Sequence, residues 1–352
     1  MKRIISLLIV IMMTVGIVAG CGQNAGNGTM NEKSSESSVA PENTGESQDG
    51  SDQSAGTAEN QEEAVTDEFP LTVKDAGGFE MTIEKKPEKI ASLTLGTDEM
   101  LLSLVDSSRI VALSSMADME GTSNIVEEAK AFPNKISSQS LETIISLSPD
   151  LLFASSWTDV NLLEQLRDAG IVVYCYESPN SIDQQKDTIR EIAKLVGEKE
   201  KGEELIAWMD QKLKEVEDKI KSLKEDEKLS ALYYDSSTYT YGKNTSFDDV
   251  VTRAGMRNVV SEAGLDGWPQ ISKEEIVKLN PDVIIVPSVS WTEQTPEAFA
   301  EELRKDPGLK EVSAVKNNRV FIISDAHRSA ISQYIVYGVE DLAKAAYPDL
   351  FK

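Results

Sequence analysis

The chain has 352 residues, with 60 Asp and Glu against 35 Lys and Arg, and a formal net charge of −25. That length favours two compact units over one. So acidic a surface repels polyphosphate, and with no basic stripe or nucleic-acid motif to offset it, nucleic-acid binding is set aside. The single histidine, His327, excludes a multi-histidine zinc site and an HExxH protease, and GxGxxG, GxxxxGK[ST] and GxSxG are all absent.

The chain opens MKRIISLLIVIMMTVGIVAGCGQ. Lys2 and Arg3 form a positive start, and Ile4 to Val18 form an apolar run of about fifteen residues, short for a membrane span and right for a signal sequence. The run ends in VAGC, Val18 to Cys21, which resembles the lipobox of bacterial lipoproteins. That resemblance implies removal of residues 1–20 and lipidation at Cys21. Residues 22–68 then hold eleven Asp and Glu against one Lys among Gly, Ser, Asn and Gln. Such a stretch buries too little apolar surface to offset its ordering entropy, so 21–68 is expected to be a disordered acidic tether. With Cys21 used for lipid, Cys175 is left alone in the apolar run IVVYCYE, as a buried core residue with no disulfide.

From Phe69 the apolar content rises. FPLTVKDAGGFEMTIEK reads as a hairpin around Gly77-Gly78. KIASL is a strand, GTDEMLLSLV begins a helix capped by Thr97 or Asp98, and RIVALSS is a strand. LETIISLSPDLLFASSW gives a short helix, a proline stop and the strand LLFAS; then come the helix VNLLEQLRDAG, closed by Gly170, and the strand IVVYCYE. In 181–228, Leu205, Met209, Leu213, Val216, Ile220 and Leu223 recur at spacings of three and four, one stripe of a long helix whose other faces are Lys and Glu. Next are the strand LSALYYD, the helix TSFDDVVTRAG capped by Thr245 or Ser246, the unit SKEEIVKLNPDVIIVPS, the helix PEAFAEELRKD and the strand RVFIIS.

Two of these units are near copies. Leu141–Trp157 and Lys273–Ser288 share a Glu, an apolar pair, Leu, Pro-Asp, an apolar strand and a following Ser, and their flanks repeat as well. Strands alternating with helices imply parallel sheets covered on both faces. The fold expected is α/β: two Rossmann-like lobes, 69–180 and 229–352, bridged by one long α-helix in 181–228, with a ligand cleft between the lobes. The absence of a Gly- or Pro-rich hinge implies limited motion between them.

A lipoprotein signal, a tether and two such lobes joined by a helix resemble the Fe/B12-type substrate-binding proteins of ABC importers, over about 69–352. That family carries ferric siderophores, haem and cobalamin. The resemblance implies a lipid-anchored protein on the extracytoplasmic face of the cell membrane, expected to be a monomer with no intrinsic cofactor. It further implies that one glutamate per lobe docks on arginines of the permease dimer, which works with its ATPase. Those glutamates fall on Glu142 and Glu274. Glu275 has a different role, because Ser272-Lys273-Glu274-Glu275 reads as a capping box with Glu275 its third helical member.

In open α/β sheets ligands bind beyond the carboxyl ends of the strands. Those ends carry Leu95, Gly96, Thr97, Ser115, Met116, Trp157 and Tyr176 in the first lobe, and Tyr239, Tyr241, Trp268, Trp291, His327 and Arg328 in the second. Three tryptophans in loops after strands call for an apolar or planar cover; the fourth, Trp208 on the long helix, is expected to pack. His327 reads either as surface polarity or as an axial ligand to a bound metal complex, and Arg328 as a partner for an anionic group. With no cluster of cleft arginines, the ranking is a hydroxamate-like ferric siderophore or a corrinoid, then haem. A free-metal receptor would want several histidines. A module signalling to a surface sensor is the other binding reading, and an enzyme finds no nucleophile elbow or metal-ligand spacing to support it.

Overall fold

The computed structural model describes residues 68–352. The signal over 1–20, the lipidated Cys21 and the tether up to residue 67 lie outside the described residues.

The first lobe begins with an antiparallel hairpin of β1 (Leu71–Lys74) and β2 (Glu80–Ile83), turning at Gly77-Gly78 as expected. There follow β3 (Ile90–Ser92), α1 (Leu95–Leu104), β4 (Ile110–Ser114), α2 (Val126–Ala129), β5 (Lys135–Ile136), α3 (Leu141–Leu147), β6 (Leu151–Ser155), α4 (Val160–Asp168) and β7 (Val173–Tyr176). The five strands from β3 onward form one parallel sheet in the order β5-β4-β3-β6-β7. The chain then passes through α5 (Ile182–Leu195) and α6 (Lys199–Ile220). The expected long helix is α6, whose 22 residues span about 33 Å; the segment before it forms the separate α5, with Gly197 at φ +70° in the turn.

The second lobe contains β8 (Ser230–Tyr233), α7 (Ser246–Arg253), β9 (Arg257–Asn258), α8 (Val259–Glu262), α9 (Lys273–Leu279), β10 (Val283–Pro287), α10 (Pro296–Lys305), α11 (Ser313–Lys316), β11 (Val320–Ile323), α12 (Asp325–Arg328) and α13 (Ile335–Ala346). Its parallel sheet has the order β11-β10-β8-β9. In each sheet the order reverses beside the first strand, between β3 and β6 and between β8 and β10. Crevices at such points receive ligands.

The inner strands β6 and β10 are buried on both faces, which is why they read as unbroken apolar runs. Each lobe has an outer core of its own, around Leu152, Leu163 and Val173 in the first and Leu232, Ile284 and Phe299 in the second. The inner core is shared: Leu101 and Phe153 of the first lobe, Ile206 and Met209 of α6, and Phe247 and Val339 of the second belong to one cluster. A common core that includes the connecting helix resists separation of the lobes. Trp208 packs as expected, edge-on to Tyr334 and Tyr337. Cys175 is buried and free.

One cap differs from expectation. Thr94, not Thr97 or Asp98, caps α1, its hydroxyl accepting from the Thr97 amide, so both expected residues lie inside the helix and are buried. Thr245 caps α7, and the Ser272–Glu275 capping box is formed.

Candidate functional site

The repeated unit does the same mechanical work in each lobe. α3 ends with Ser148 in the left-handed region at φ 48°, and α9 ends with Asn280 at φ 46°. A proline follows each, forbidding further helix. The aspartate after it reaches sideways into the sheet. Asp150 Oδ2 accepts from the amides of Glu88 (2.9 Å) and Lys89 (3.0 Å), just ahead of β3. Asp282 Oδ2 accepts from the Ser230 amide (2.9 Å) and hydroxyl (2.8 Å), at the start of β8. Both carboxylates thus satisfy donors where the first strand of each parallel sheet begins, and both hold that strand beside the strand that follows the aspartate. This aligns the strands whose far ends frame the cleft.

Those ends enclose a cavity of about 660 Å³ between the lobes. Its first-lobe wall carries Thr94, Leu95, Gly96, Glu99, Ser115, Met116, Ser137, Ser138, Ser155, Trp157 and Tyr176; the second lobe contributes Asp325, Ser329, Ala330 and Ile331. A second compartment of about 250 Å³ is lined by Tyr233, Tyr241, Ser236, Trp291 and Arg328 among others, and shares Thr122, Asp325 and Ser329 with the first. The lining is mostly hydroxyl and aromatic.

Of the expected ligand residues, Leu95, Gly96, Ser115, Met116, Trp157 and Tyr176 line the larger compartment, and Tyr241, Trp291 and Arg328 the smaller. Thr97, Tyr239, Trp268 and His327 line neither. Thr97 is buried in α1, its hydroxyl 2.8 Å from that of Thr94. Tyr239 is half-exposed in the loop after β8. Trp268 stands at the mouth, half-exposed, edge-on to Trp157 with ring centroids 6.3 Å apart. That pair spans the cleft, because Trp157 follows β6 and Trp268 follows α8.

His327 is held towards α13. Its Nδ1 lies 2.6 Å from Asp341 Oδ2 on α13, and its ring is 5.3 Å from that of Tyr337. An imidazole oriented by a carboxylate on that side sits among the packing of α13, not over the cavity. Arg328, its neighbour, is buried at the cleft floor. Its guanidinium lies over the Tyr233 ring at 4.4 Å and is bonded to Asp325, while its Nε has no acceptor. Stacking and the ion pair offset the cost of burying this cation, and the spare donor leaves it able to take an oxygen of a ligand.

Glu99 is a cavity residue the sequence did not single out. Its carboxylate accepts from the Asn124 amide (2.9 Å) and side chain (3.0 Å), and from the Ser332 hydroxyl across the lobe boundary. Gln333 Nε2 donates to its carbonyl at 2.9 Å. Burial raises the pKa of Glu99, against the pull of these bonds. Gly96 is glycine for a steric reason: a Cβ there would lie 2.1 Å from the Ile331 carbonyl oxygen, so side-chain growth at this point wedges the lobes apart. Among the described residues no three His, Cys, Asp or Glu side chains converge as a metal site.

Glu142 and Glu274 lie in the first turns of α3 and α9, both exposed. Because each helix runs back against its sheet, these first turns are at the cleft-side end of the lobes.

Residues 90–326 match the periplasmic binding protein family. The chain is 30% identical over 293 residues to an uncharacterised ABC transporter substrate-binding lipoprotein of Bacillus subtilis (strain 168), covering 82% of this chain and 88% of that one. It is 26% identical over 219 residues to a cobalamin-binding protein of Halobacterium salinarum, covering 62% and 58%. Among solved structures, it resembles a possible iron-binding periplasmic solute-binding protein from Staphylococcus epidermidis, with a TM-score of 0.65 and 25% identity over 75% of this chain and all of that one. The chain belongs to the periplasmic binding protein family, as the substrate-binding protein of an ABC transporter and not as an enzyme.

Proposed function

From that membership we propose that the chain captures a metal chelate outside the cell and hands it to its permease, with a corrinoid as the first candidate and a ferric hydroxamate as the second. The observation that carries this is the cleft itself: about 660 Å³ of space lined by many hydroxyls and by Trp157, with Trp268 against Trp157 at the mouth, and an adjoining compartment holding Trp291 and the buried Arg328, already paired to Asp325. Such a lining suits a large, nearly neutral ligand with apolar faces and many polar edges. It does not suit a highly anionic catecholate complex, which would need several free cations. The similarity to a cobalamin-binding protein supports the corrinoid as the first candidate. His327 is left out of the ligand set, since Asp341 holds it.

The same reading keeps the protein on the membrane through lipid on Cys21, and has Glu142 and Glu274 meet basic residues of the permease. Two charges, one on each lobe, fix orientation and hasten encounter.

The test is intrinsic tryptophan fluorescence of the full chain, titrated separately with cyanocobalamin, a ferric trihydroxamate, haem and molybdate. Saturable quenching at one equivalent by cyanocobalamin supports the first candidate. The same response to the ferric trihydroxamate replaces it with the second. A response to haem or molybdate alone, or to none of the four, overturns both candidates.

A further inference from the structure

The two repeats agree in more than their acids. Aligned on their Pro-Asp pairs, α3 and α9 place Glu142 with Glu274, Ile144 with Ile276, and Ile145 with Val277. Ile144 and Ile276 are fully buried, whereas Ile145 is 40% and Val277 45% exposed. Scattered surface aliphatics need no explanation. These two occupy the same step of a duplicated unit, three residues after an exposed acid, and residues three apart share a helix face. Each lobe therefore presents a carboxylate with an aliphatic knob beside it. Neither Glu142 nor Glu274 makes a hydrogen bond or ion pair among the described residues. Lys273, next to Glu274, is drawn off to Glu302 (3.1 Å) and Asp306 (2.6 Å). The acids are thus left without a cation of their own.

We infer that Ile145 and Val277 are matched apolar contacts to the membrane partner, each lobe meeting one of two equivalent sockets in a dimeric ABC permease, a basic group beside an apolar pocket. The inference rests on the docking reading of Glu142 and Glu274. A surface written twice fits a receptor built twice. The charges complement a basic socket and steer approach, while the aliphatics lose water on contact and slow release. Placement adds a link to the cleft. α3 follows closely on Ser137 and Ser138 of the cavity wall, and α9 on the loop that carries Trp268.

The test uses the full-length chain with its cognate permease–ATPase complex in proteoliposomes, reading the chain concentration that half-saturates stimulated ATP hydrolysis. Ile145→Ser and Val277→Ser are each expected to raise it roughly five- to ten-fold, with the unfolding midpoint unchanged. Ile145→Val and Val277→Ile, which keep an apolar knob, retain the parent value. Glu142→Ala with Glu274→Ala is also expected to raise it, with the difference shrinking at high salt. If the acid pair weakens coupling and the serine variants do not, the inference falls and the docking reading stands. If neither set has an effect, both fall. If only the serine variants weaken it, the apolar contact stands and the acids drop out of it.

Discussion

In the N-terminal lobe the acid four residues after the capping Thr94 is Asp98, buried and bonded to Ser114, whose amide donates to both carboxyl oxygens at 3.1 and 3.0 Å. In the C-terminal lobe the acid four residues after the capping Thr245 is Asp249, half-exposed, ion-paired with Arg253 at 3.0 Å and accepting from the Ile182 amide at 2.8 Å. The clamps at Asp150 and Asp282, by contrast, are alike in both lobes. The duplication has held on to residues that satisfy backbone donors, where loss leaves a sheet edge unpaired. It has let the charge balance of the first helix diverge: α1 lines the cleft through Leu95, Gly96 and Glu99, whereas no residue of α7 lines either compartment.

The largest expected effect separates the two clamps by burial. Ser230 is buried, so Asp282→Ala strands an amide and a hydroxyl away from water; a loss of about 3 kcal/mol is expected. The Asp150 contacts are exposed, and water can replace the lost acceptor, so Asp150→Ala is expected to cost about 1 kcal/mol. Urea unfolding monitored by far-UV dichroism measures both. Equal losses would mean that burial of the donors does not set the worth of the clamp.

Much of this architecture was legible. The alternation of short apolar runs with capped helices located both sheets, and the duplicated Pro-Asp unit located an inner strand of each. The Ser272–Glu275 box and the hairpin at Gly77-Gly78 are local signals, and local signals carry through. The last long helix, α13, is a finding of the structure, although its apolar positions at 335, 336, 339, 342 and 343 recur at helical spacing. The cleft was legible only in part. Ser137 and Ser138 follow a two-residue strand too short to announce itself, and Glu99 looks like a solvated helix acid until Ser332 and Asn124 close over it. His327 and Arg328 are adjacent in sequence, but neighbours on a helix point about 100° apart. One side chain therefore enters the cleft floor while the other turns to Asp341.

A second experiment sharpens the contrast in the first helices. Burial pushes the Asp98 carboxyl from its ordinary 3.8 up to about 8, despite the opposing bonds from Ser114. A carboxyl raised in this way holds its proton in the folded state while the unfolded chain releases it. Its contribution is complete below pH 3.8 and is lost as pH rises towards 8, so stability falls across that window by at most about 1.4 kcal/mol per pH unit. Asp98→Asn cannot titrate and is expected to flatten the fall in unfolding midpoint between about pH 5 and 8. An unchanged slope in Asp98→Asn would place the pH dependence elsewhere, with Glu99, raised in the same direction, the next acid to substitute.

The smallest expected effect lies at the mouth, where the lobes meet through side chains of unequal freedom. Trp157 is anchored, its Nε1 donating to Ser178 Oγ at 3.1 Å, while Trp268 follows Gly267 at φ 64° and is held by its edge-to-face contact with Trp157. Such a pair is worth about 0.5–1.5 kcal/mol, with the lower end appropriate to rings this exposed. A double-mutant cycle of Trp157→Ala and Trp268→Ala on the unliganded chain is expected to give a coupling of about 0.5 kcal/mol in unfolding free energy. A measurable coupling means that the lips touch before any ligand arrives, so that a ligand must separate the indoles to enter. Zero coupling would mean that the indoles add nothing to the inner core and the Glu99 bonds that join the lobes, and that the tryptophans stand apart until something fills the space between them.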